Sequence, residues 1–248
     1  MSSEVRHLVD SARPYPMVRL IGVLDSGSAP QVRSVLLDVL AGQPEAIVVD
    51  VGELAVGEPD AVSVLRDVRQ DTFDWPGARL TLCNTDGADA WGDCGWPVRP
   101  DIDEAFAQLG PPKAGERVNV ELEPQVGAAR RSRELISGAC SEWGRAELAG
   151  SACIVVTELV NNVVQHAHTE MTLLLAVHGE AVSVAVRDHS AGVPSFTGAP
   201  APTSYGGRGM LLIDSVASRW GSLPLTDGKV VWALISDDVR SMTGPDRG

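Results

Sequence analysis

The stretch TELVNNVVQHAH, residues 157–168, decides how the second half of this sequence is interpreted. Its apolar residues recur at helical spacing, which predicts a long amphipathic helix from about Ser151 to Ala167. Glu158 and Asn162 are four residues apart, so they lie on one face of that helix, and His166 continues the line. A carboxylate one turn from an amide oxygen can hold a hydrated Mg²⁺ ion. The same stripe is also typical of a solvent-facing helix surface, and the helix alone leaves both interpretations open.

Two later segments favour a bound ligand. RDHSAGVP puts Asp188 at the end of an apolar strand and Gly192 four residues on. A carboxylate there can accept hydrogen bonds from the exocyclic amine of a base, and a glycine lets the ligand approach the backbone. YGGRGMLLID puts Gly206, Gly207 and Gly209 directly before an apolar-periodic helix, where bare amides can bind phosphates. Taken singly, each segment is more typical of an ordinary turn or helix start.

The segment GPPKAGER is the best linker, because it contains two prolines, two glycines and several charges. It predicts an N-terminal domain over residues 1–110, a linker over 111–117 and a C-terminal domain over 118–248. In the first domain, strand-like runs alternate with helical ones, which predicts an α/β sheet with covering helices. In the second, three helices and two hairpins predict an α+β sandwich with helices on one face of a mixed, mostly antiparallel sheet.

The order of the three polar segments resembles the GHKL (Bergerat-fold) ATP-binding family, and within it the bacterial anti-sigma-factor serine kinase type. The resemblance covers about Val118 to Ile235 and implies a Bergerat α/β sandwich that binds ATP and Mg²⁺. It implies that Glu158 is the catalytic base, that Asn162 is the magnesium ligand and that Asp188 contacts adenine. Its nucleotide-binding residues would be Asn162, His166, Asp188, Gly192, Gly207, Gly209 and Met210, under an ATP lid at residues 193–205.

Two positions depart from the family pattern. The first glycine of the usual D-x-G-x-G is Ser190 here, and Val230 stands where the last hairpin commonly offers a threonine near the adenine. The loss of one such contact, if nothing replaces it, costs about 1 kcal/mol. We therefore expect weak nucleotide binding.

The first half resembles a STAS domain, the fold of anti-sigma-factor antagonists. MVRLIGVLDSGSAPQVRSVLLDVL is similar to the opening strand and helix of that family, and AIVVDVGEL to its central strand. The family usually carries a phosphorylatable serine in the turn after that strand. Here the turn contains Gly57, Glu58, Pro59 and Asp60, and Ser63 falls inside the following helix. One hypothesis is that Glu58 and Asp60 imitate the phosphorylated form with fixed negative charge.

Composition excludes several classes of function. The formal net charge is −13, so non-specific binding to nucleic acid or to an anionic membrane is not expected. The four cysteines form no CxxC pair, which favours buried thiols over zinc or disulfides. No secretion signal and no apolar run of about 20 residues is visible, so we expect a cytoplasmic protein.

These observations predict a cytoplasmic signalling regulator that binds Mg-ATP and phosphorylates a serine or threonine of a STAS-type antagonist. Domains of this kind tend to pair, so a homodimer through the C-terminal domain is one expectation. The alternative is a non-catalytic module, with or without nucleotide, that sequesters a sigma factor or another regulator. Phosphotransfer distinguishes these alternatives.

Overall fold

The computed structural model describes residues 4–84, 91–113, 115–190 and 208–237. The chain divides into two compact units, Met1–Lys113 and Ala114–Gly248, called here the first and the second unit. Each unit contains one five-stranded sheet.

The first unit is an α/β sheet with covering helices, as predicted. Its strand order is β1-β2-β3-β4-β5; β1 is antiparallel to β2, and the other neighbours are parallel. Its strands are β1 (Arg6–Asp10), β2 (Met17–Leu24), β3 (Ala46–Val56), β4 (Arg79–Cys83) and β5 (Val98–Arg99). Its helices are α1 (Ala29–Leu40), α2 (Ser63–Asp71) and α3 (Ile102–Leu109).

The sequence did not predict β1 and β5. Four of the five residues of β1 are exposed, so this edge strand lacks the alternation of buried and exposed residues that marks a half-buried strand. Strand β5 has only two residues, too few to show any period. In contrast, Ala46 to Val49 at the start of β3 are all buried, which explains their continuous apolar run.

The turn after β3 is held against the loop between β2 and α1. A Cβ on Gly57 would lie 2.7 Å from Val23 Cγ1, so the close approach requires glycine. Glu58 Oε2 accepts a hydrogen bond of 2.9 Å from the backbone N–H of Ser26. A 3₁₀ turn (Pro59–Val62) follows, and Ser63 is the exposed first residue of α2.

The second unit has helices on one face of an antiparallel sheet. The strand order is β6-β7-β8-β10-β9, and every pairing among these described strands is antiparallel. The strands are β6 (Arg117–Leu122), β7 (Met171–His178), β8 (Ala181–Asp188), β9 (Arg219–Leu225) and β10 (Gly228–Ile235). The helices are α4 (Ala128–Glu142), α5 (Ala149–Asn162) and α6 (Arg208–Val216).

The sequence from Pro124 to Gly144 predicts one helix, since proline favours a helix start and glycine a helix end, but α4 covers only Ala128–Glu142. Gly144 follows the helix end with φ +66°, the left-handed conformation that glycine adopts without strain. Pro124 does not open the helix, which begins only at Ala128, because residues 124–127 form turns.

The helix that contains TELVNNVVQHAH changes its winding within that stretch. Helix α5 ends at Asn162, and residues Val163–Ala167 form a π-helical turn closed by His168 N–H donating to Val163 O over 2.8 Å. The expected single α-helix through Ala167 is therefore corrected. Because a π turn spaces side chains differently around the axis, His166 does not continue the α-helical line of Glu158 and Asn162.

The helix-covered face of the second sheet forms the core of this unit. Val182, Val184 and Val186 of β8 pack there, and so do Val231, Ala233 and Ile235 of β10. Successive side chains of a strand alternate between the two faces. Asp188 therefore extends the helix-side row of β8, and Lys229 extends that of β10.

In contrast to the expectation of no apolar run of membrane-spanning length, residues Ala146–Ala167 form one helical segment long and apolar enough to span a membrane by length and composition alone. Val155, Val156, Leu159 and Val160 of this segment are buried in the core of the second unit. This packing identifies it as a core helix.

Candidate functional site

Helices α5 and α6 meet at Glu158. A Cβ built on Gly209 would lie 2.5 Å from Glu158 Oε2, so a side chain at this position would displace the carboxylate. Glu158 itself is half-buried. Helix packing thus brings the predicted catalytic base against Gly209, one of the predicted phosphate-binding glycines, although the two residues are 51 positions apart in sequence.

One turn further along α5, Asn162 contacts the residue that follows this glycine. Asn162 Nδ2 lies 3.9 Å from Met210 Sδ, a weak interaction because a thioether is a poor acceptor. This contact uses the nitrogen of the Asn162 carboxamide and not its oxygen. Mg²⁺ binds asparagine through the carboxamide oxygen. Four of the predicted site residues therefore form one group: Glu158, Asn162, Gly209 and Met210.

Asp188 lies at the end of β8, on the sheet face that α5 covers. It is 2% exposed. The sheet register puts Lys229 directly opposite Asp188. Gly228, with φ +148°, permits this arrangement, because a Cβ there would overlap the main-chain oxygen of Asp188.

Asp188, Ser190 and Lys229 form a hydrogen-bonded cluster. Asp188 Oδ1 accepts from Ser190 N at 2.8 Å, from Ser190 Oγ at 2.6 Å and from Lys229 Nζ at 3.0 Å. Lys229 Nζ also lies 2.6 Å from Ser190 Oγ. The side chains of Lys229 and Asp188 are only 12% and 3% exposed, so this is a buried ion pair. We call these three residues the Asp188 cluster.

The two departures from the family pattern have different consequences. Ser190 is part of the Asp188 cluster and fixes its carboxylate. Val230 pairs with Arg187 and points to the opposite face of the sheet. The expectation that Val230 occupies the place beside the base contact is therefore wrong, because alternation puts Lys229 there instead.

Sequence reasoning missed Lys229. The signal that could have found it is the period-2 row of Val231, Ala233 and Ile235, which extends back to residue 229 on the core side. A lysine at the end of a buried row needs a partner, and the neighbouring strand end supplies Asp188.

The remaining predicted residues lie apart from these groups or outside the described chain. The imidazole of His166 is exposed on the π-helical turn. Gly192, Gly207 and the predicted lid at residues 193–205 lie outside the described residues. Within the described ranges, no three His, Cys, Asp or Glu side chains form a group that could hold a metal ion.

Three of the four cysteines are buried thiols. All four are free, and Cys83, Cys94 and Cys140 are buried. Burial is the main reason that the pKa of Cys83 and that of Cys140 rise to about 11. These thiols therefore stay protonated near neutral pH and are poor nucleophiles.

One family of known proteins matches part of the chain. Residues 119–233 match the family described as "Histidine kinase-like ATPase domain". A search of curated proteins found no match.

Among solved structures, an anti-sigma factor antagonist from Mycobacterium paratuberculosis is 18% identical with a TM-score of 0.37, over 43% of this chain and 94% of that one. The histidine kinase domain of a blue-light activated histidine kinase from Erythrobacter litoralis EL346 is 20% identical with a TM-score of 0.30. That comparison covers 44% of this chain and 59% of the solved one.

Proposed function

We propose that the second unit, which contains the match to the histidine kinase-like ATPase domain, binds Mg-ATP and transfers its γ-phosphoryl group to a serine or threonine of a protein partner. The chain then acts as an ATP-binding regulator that switches partners. The observation that carries the proposal is the contact of Glu158 and Asn162 with Gly209 and Met210.

The residues present fit Mg²⁺ and a triphosphate. Asn162 offers a half-buried carboxamide oxygen one turn from the Glu158 carboxylate, and hard oxygen ligands suit a Mg²⁺ ion that keeps several waters. Gly209 leaves open the space that a Cβ would fill beside Glu158. Exposed amides at the start of a helix favour phosphate oxygens.

In the proposed reaction, the partner's hydroxyl oxygen bonds to the γ-phosphorus while the bond to the β–γ bridging oxygen breaks, leaving ADP. Glu158 orients that hydroxyl and accepts its proton. Asn162 would hold the metal through its carboxamide oxygen. Mg²⁺, when bound, neutralises the charge on the phosphate oxygens.

The partner proposed is a STAS-type antagonist that has the phosphorylatable serine which the turn at Gly57 lacks. A sigma factor is the second partner, bound when the antagonist is phosphorylated. The STAS-like character of the first unit supports this assignment, because a fused antagonist-like unit beside a kinase-like unit fits a regulator of such partners. We propose the cytoplasm as the location, since ATP is supplied there.

The direct test is phosphotransfer with the full chain, labelled Mg-ATP and a STAS-type antagonist. The Glu158→Ala variant should lose at least about 100-fold in transfer rate, the range attributed to a positioned acid or base. Glu142→Ala is the matched control, because Glu142 is exposed at the end of α4. We expect it to transfer phosphate like the parent.

Nucleotide binding is measured separately by calorimetry with Mg-ATP and Mg-ADP on the parent and on Asn162→Ala. The variant should bind both nucleotides more weakly in the presence of Mg²⁺ and match the parent in EDTA.

In the phosphotransfer assay, if Glu158→Ala transfers phosphate as fast as the parent, the assigned role of Glu158 is refuted.

The second candidate is a non-catalytic module in which a bound nucleotide only sets the shape of a partner-binding surface. The Asp188 cluster favours it, because the predicted base contact is already hydrogen-bonded within the protein. Nucleotide binding without transfer to any STAS-type partner would select this candidate.

A further inference from the structure

The Asp188 cluster gives the predicted base contact a neighbour of opposite charge. Asp188 Oδ1 receives three donors, and one of them is the ammonium group of Lys229 at 3.0 Å. Lys229 is one of only two lysines in the sequence, and its side chain is nearly buried. The strand end therefore presents a hydrogen-bond donor and an acceptor side by side.

A polar site selects a ligand mainly by leaving its own buried groups unpaired when the wrong ligand binds. A lone buried carboxylate would select the 6-amino group of adenine in this way, since only an amine could satisfy it. It would also reject a 6-oxo base, whose oxygen would face a negative oxygen without a donor. The Asp188 cluster removes both penalties. Its carboxylate already has donors, and Lys229 can donate to a 6-oxo group.

We propose that Lys229 is a specificity-determining residue that relaxes the base selectivity of the nucleotide site. The second unit then takes purine nucleoside triphosphates with either a 6-amino or a 6-oxo group. This inference rests on the proposed function, because it concerns the same nucleotide site.

The opposite face of the same strands supplies a matched comparison. Arg187 pairs with Asp227 through its Nη2 at 3.1 Å from Asp227 Oδ1, and this pair is more exposed than the one between Lys229 and Asp188. Arg187 is adjacent to Asp188 in sequence, but alternation directs its side chain away from the helix-covered face. Removal of this cation therefore changes the charge near the site without changing the donors to Asp188.

The experiment is calorimetric titration of the full chain with Mg-ATP and with Mg-ITP, which carries a 6-oxo group. The parent should bind the two with dissociation constants within tenfold of each other. Lys229→Met should raise the preference for ATP over ITP at least tenfold relative to the parent. Lys229→Arg, which keeps a cationic donor, and the control Arg187→Gln should keep the parental ratio.

The parental ratio needs no variant, so it tests the proposal even if Lys229→Met does not fold. A parent that binds ATP but prefers it to ITP by more than tenfold overturns the role of Lys229 and leaves the proposed function intact. A folded Lys229→Met protein with the parental ratio also overturns it. If the parent binds neither nucleotide at millimolar concentration, the proposed function and this inference both fail.

Discussion

The two groups of residues that we propose to bind the nucleotide, one at a helix end and one at a strand end, are built differently. At the helix end, Glu158 and Asn162 are half-buried; Glu158 lies against Gly209, and among the described residues Asn162 Nδ2 has a weak contact with Met210 Sδ. At the strand end, Asp188 is buried and accepts three hydrogen bonds from its own protein. Groups with weak partners keep their hydrogen-bonding capacity for a ligand, whereas groups that satisfy one another contribute to stability first. The metal and phosphate end should therefore dominate binding, and the base end should dominate stability.

The largest expected effect is on stability at the strand end. Asp188→Asn removes the negative charge beside Lys229 and leaves a nearly buried ammonium without a counter-charge. Breaking a buried ion pair in this way costs about 3 kcal/mol in the free energy of unfolding. Urea unfolding of the full chain, followed by tryptophan fluorescence, measures it.

The double variant Asp188→Asn, Lys229→Met tests whether the unpaired ammonium of Lys229 causes the loss of stability in Asp188→Asn. Because it removes both charges, it should recover much of the loss. A double variant as unstable as Asp188→Asn alone would show that the carboxylate acts through something other than its pairing with Lys229.

Local sequence patterns predicted some elements of the fold and of the candidate site, whereas contacts that depend on tertiary packing could not be predicted. The hairpins β7–β8 and β9–β10 lie where the sequence analysis expected two hairpins, because each is two strand-like runs joined by a short turn. The spacing of four residues could put Glu158 and Asn162 on one helix face. Their contacts with Gly209 and Met210 depend on the packing of α6 against α5, which no local pattern contains.

The errors also have physical causes. Val230 looked like the residue beside the base because the resemblance selected it by its place in the last hairpin, and a shift of one residue moves a side chain to the other face of a sheet. The π turn after Asn162 was missed because TELVNNVVQHAH has good α-helical spacing throughout its length. In both cases the hydrophobic pattern indicated the element and not its exact geometry at the site.

A second prediction concerns the helix end, where the expected effect is on function. Gly209→Ala puts a methyl group 2.5 Å from the present position of Glu158 Oε2. The carboxylate is the far end of a flexible side chain, so it can rotate away at little cost to folding. The displaced base should lower the rate of phosphotransfer about tenfold, equivalent to about 1.4 kcal/mol in the activation barrier.

Gly150→Ala is the matched control for this variant. Gly150 lies on the same helix as Glu158, and an added Cβ there would meet nothing within 4 Å. It should leave transfer unchanged and raise the free energy of unfolding by about 0.5–1 kcal/mol, since alanine is the better helix former. If Gly209→Ala transfers phosphate as fast as Gly150→Ala, the contact with Glu158 has no functional role.

The smallest expected effect is at the exposed ion pair on the other face of the strand end. Burial raises the pKa of Asp227, but the hydrogen bond and charge of Arg187, together with His189, outweigh it and hold the pKa below its ordinary value of 3.8. Ionised Asp227 therefore stabilises the fold above pH 3.8, and this contribution is lost as the pH falls through the lowered pKa. Asp227→Asn should cost less than about 1 kcal/mol at pH 7, because exposed pairs contribute little. Urea unfolding from pH 7 to pH 2 should show the difference from the parent shrinking only below pH 3.8. A loss at pH 7 as large as that of Asp188→Asn would mean that burial does not distinguish the two ion pairs.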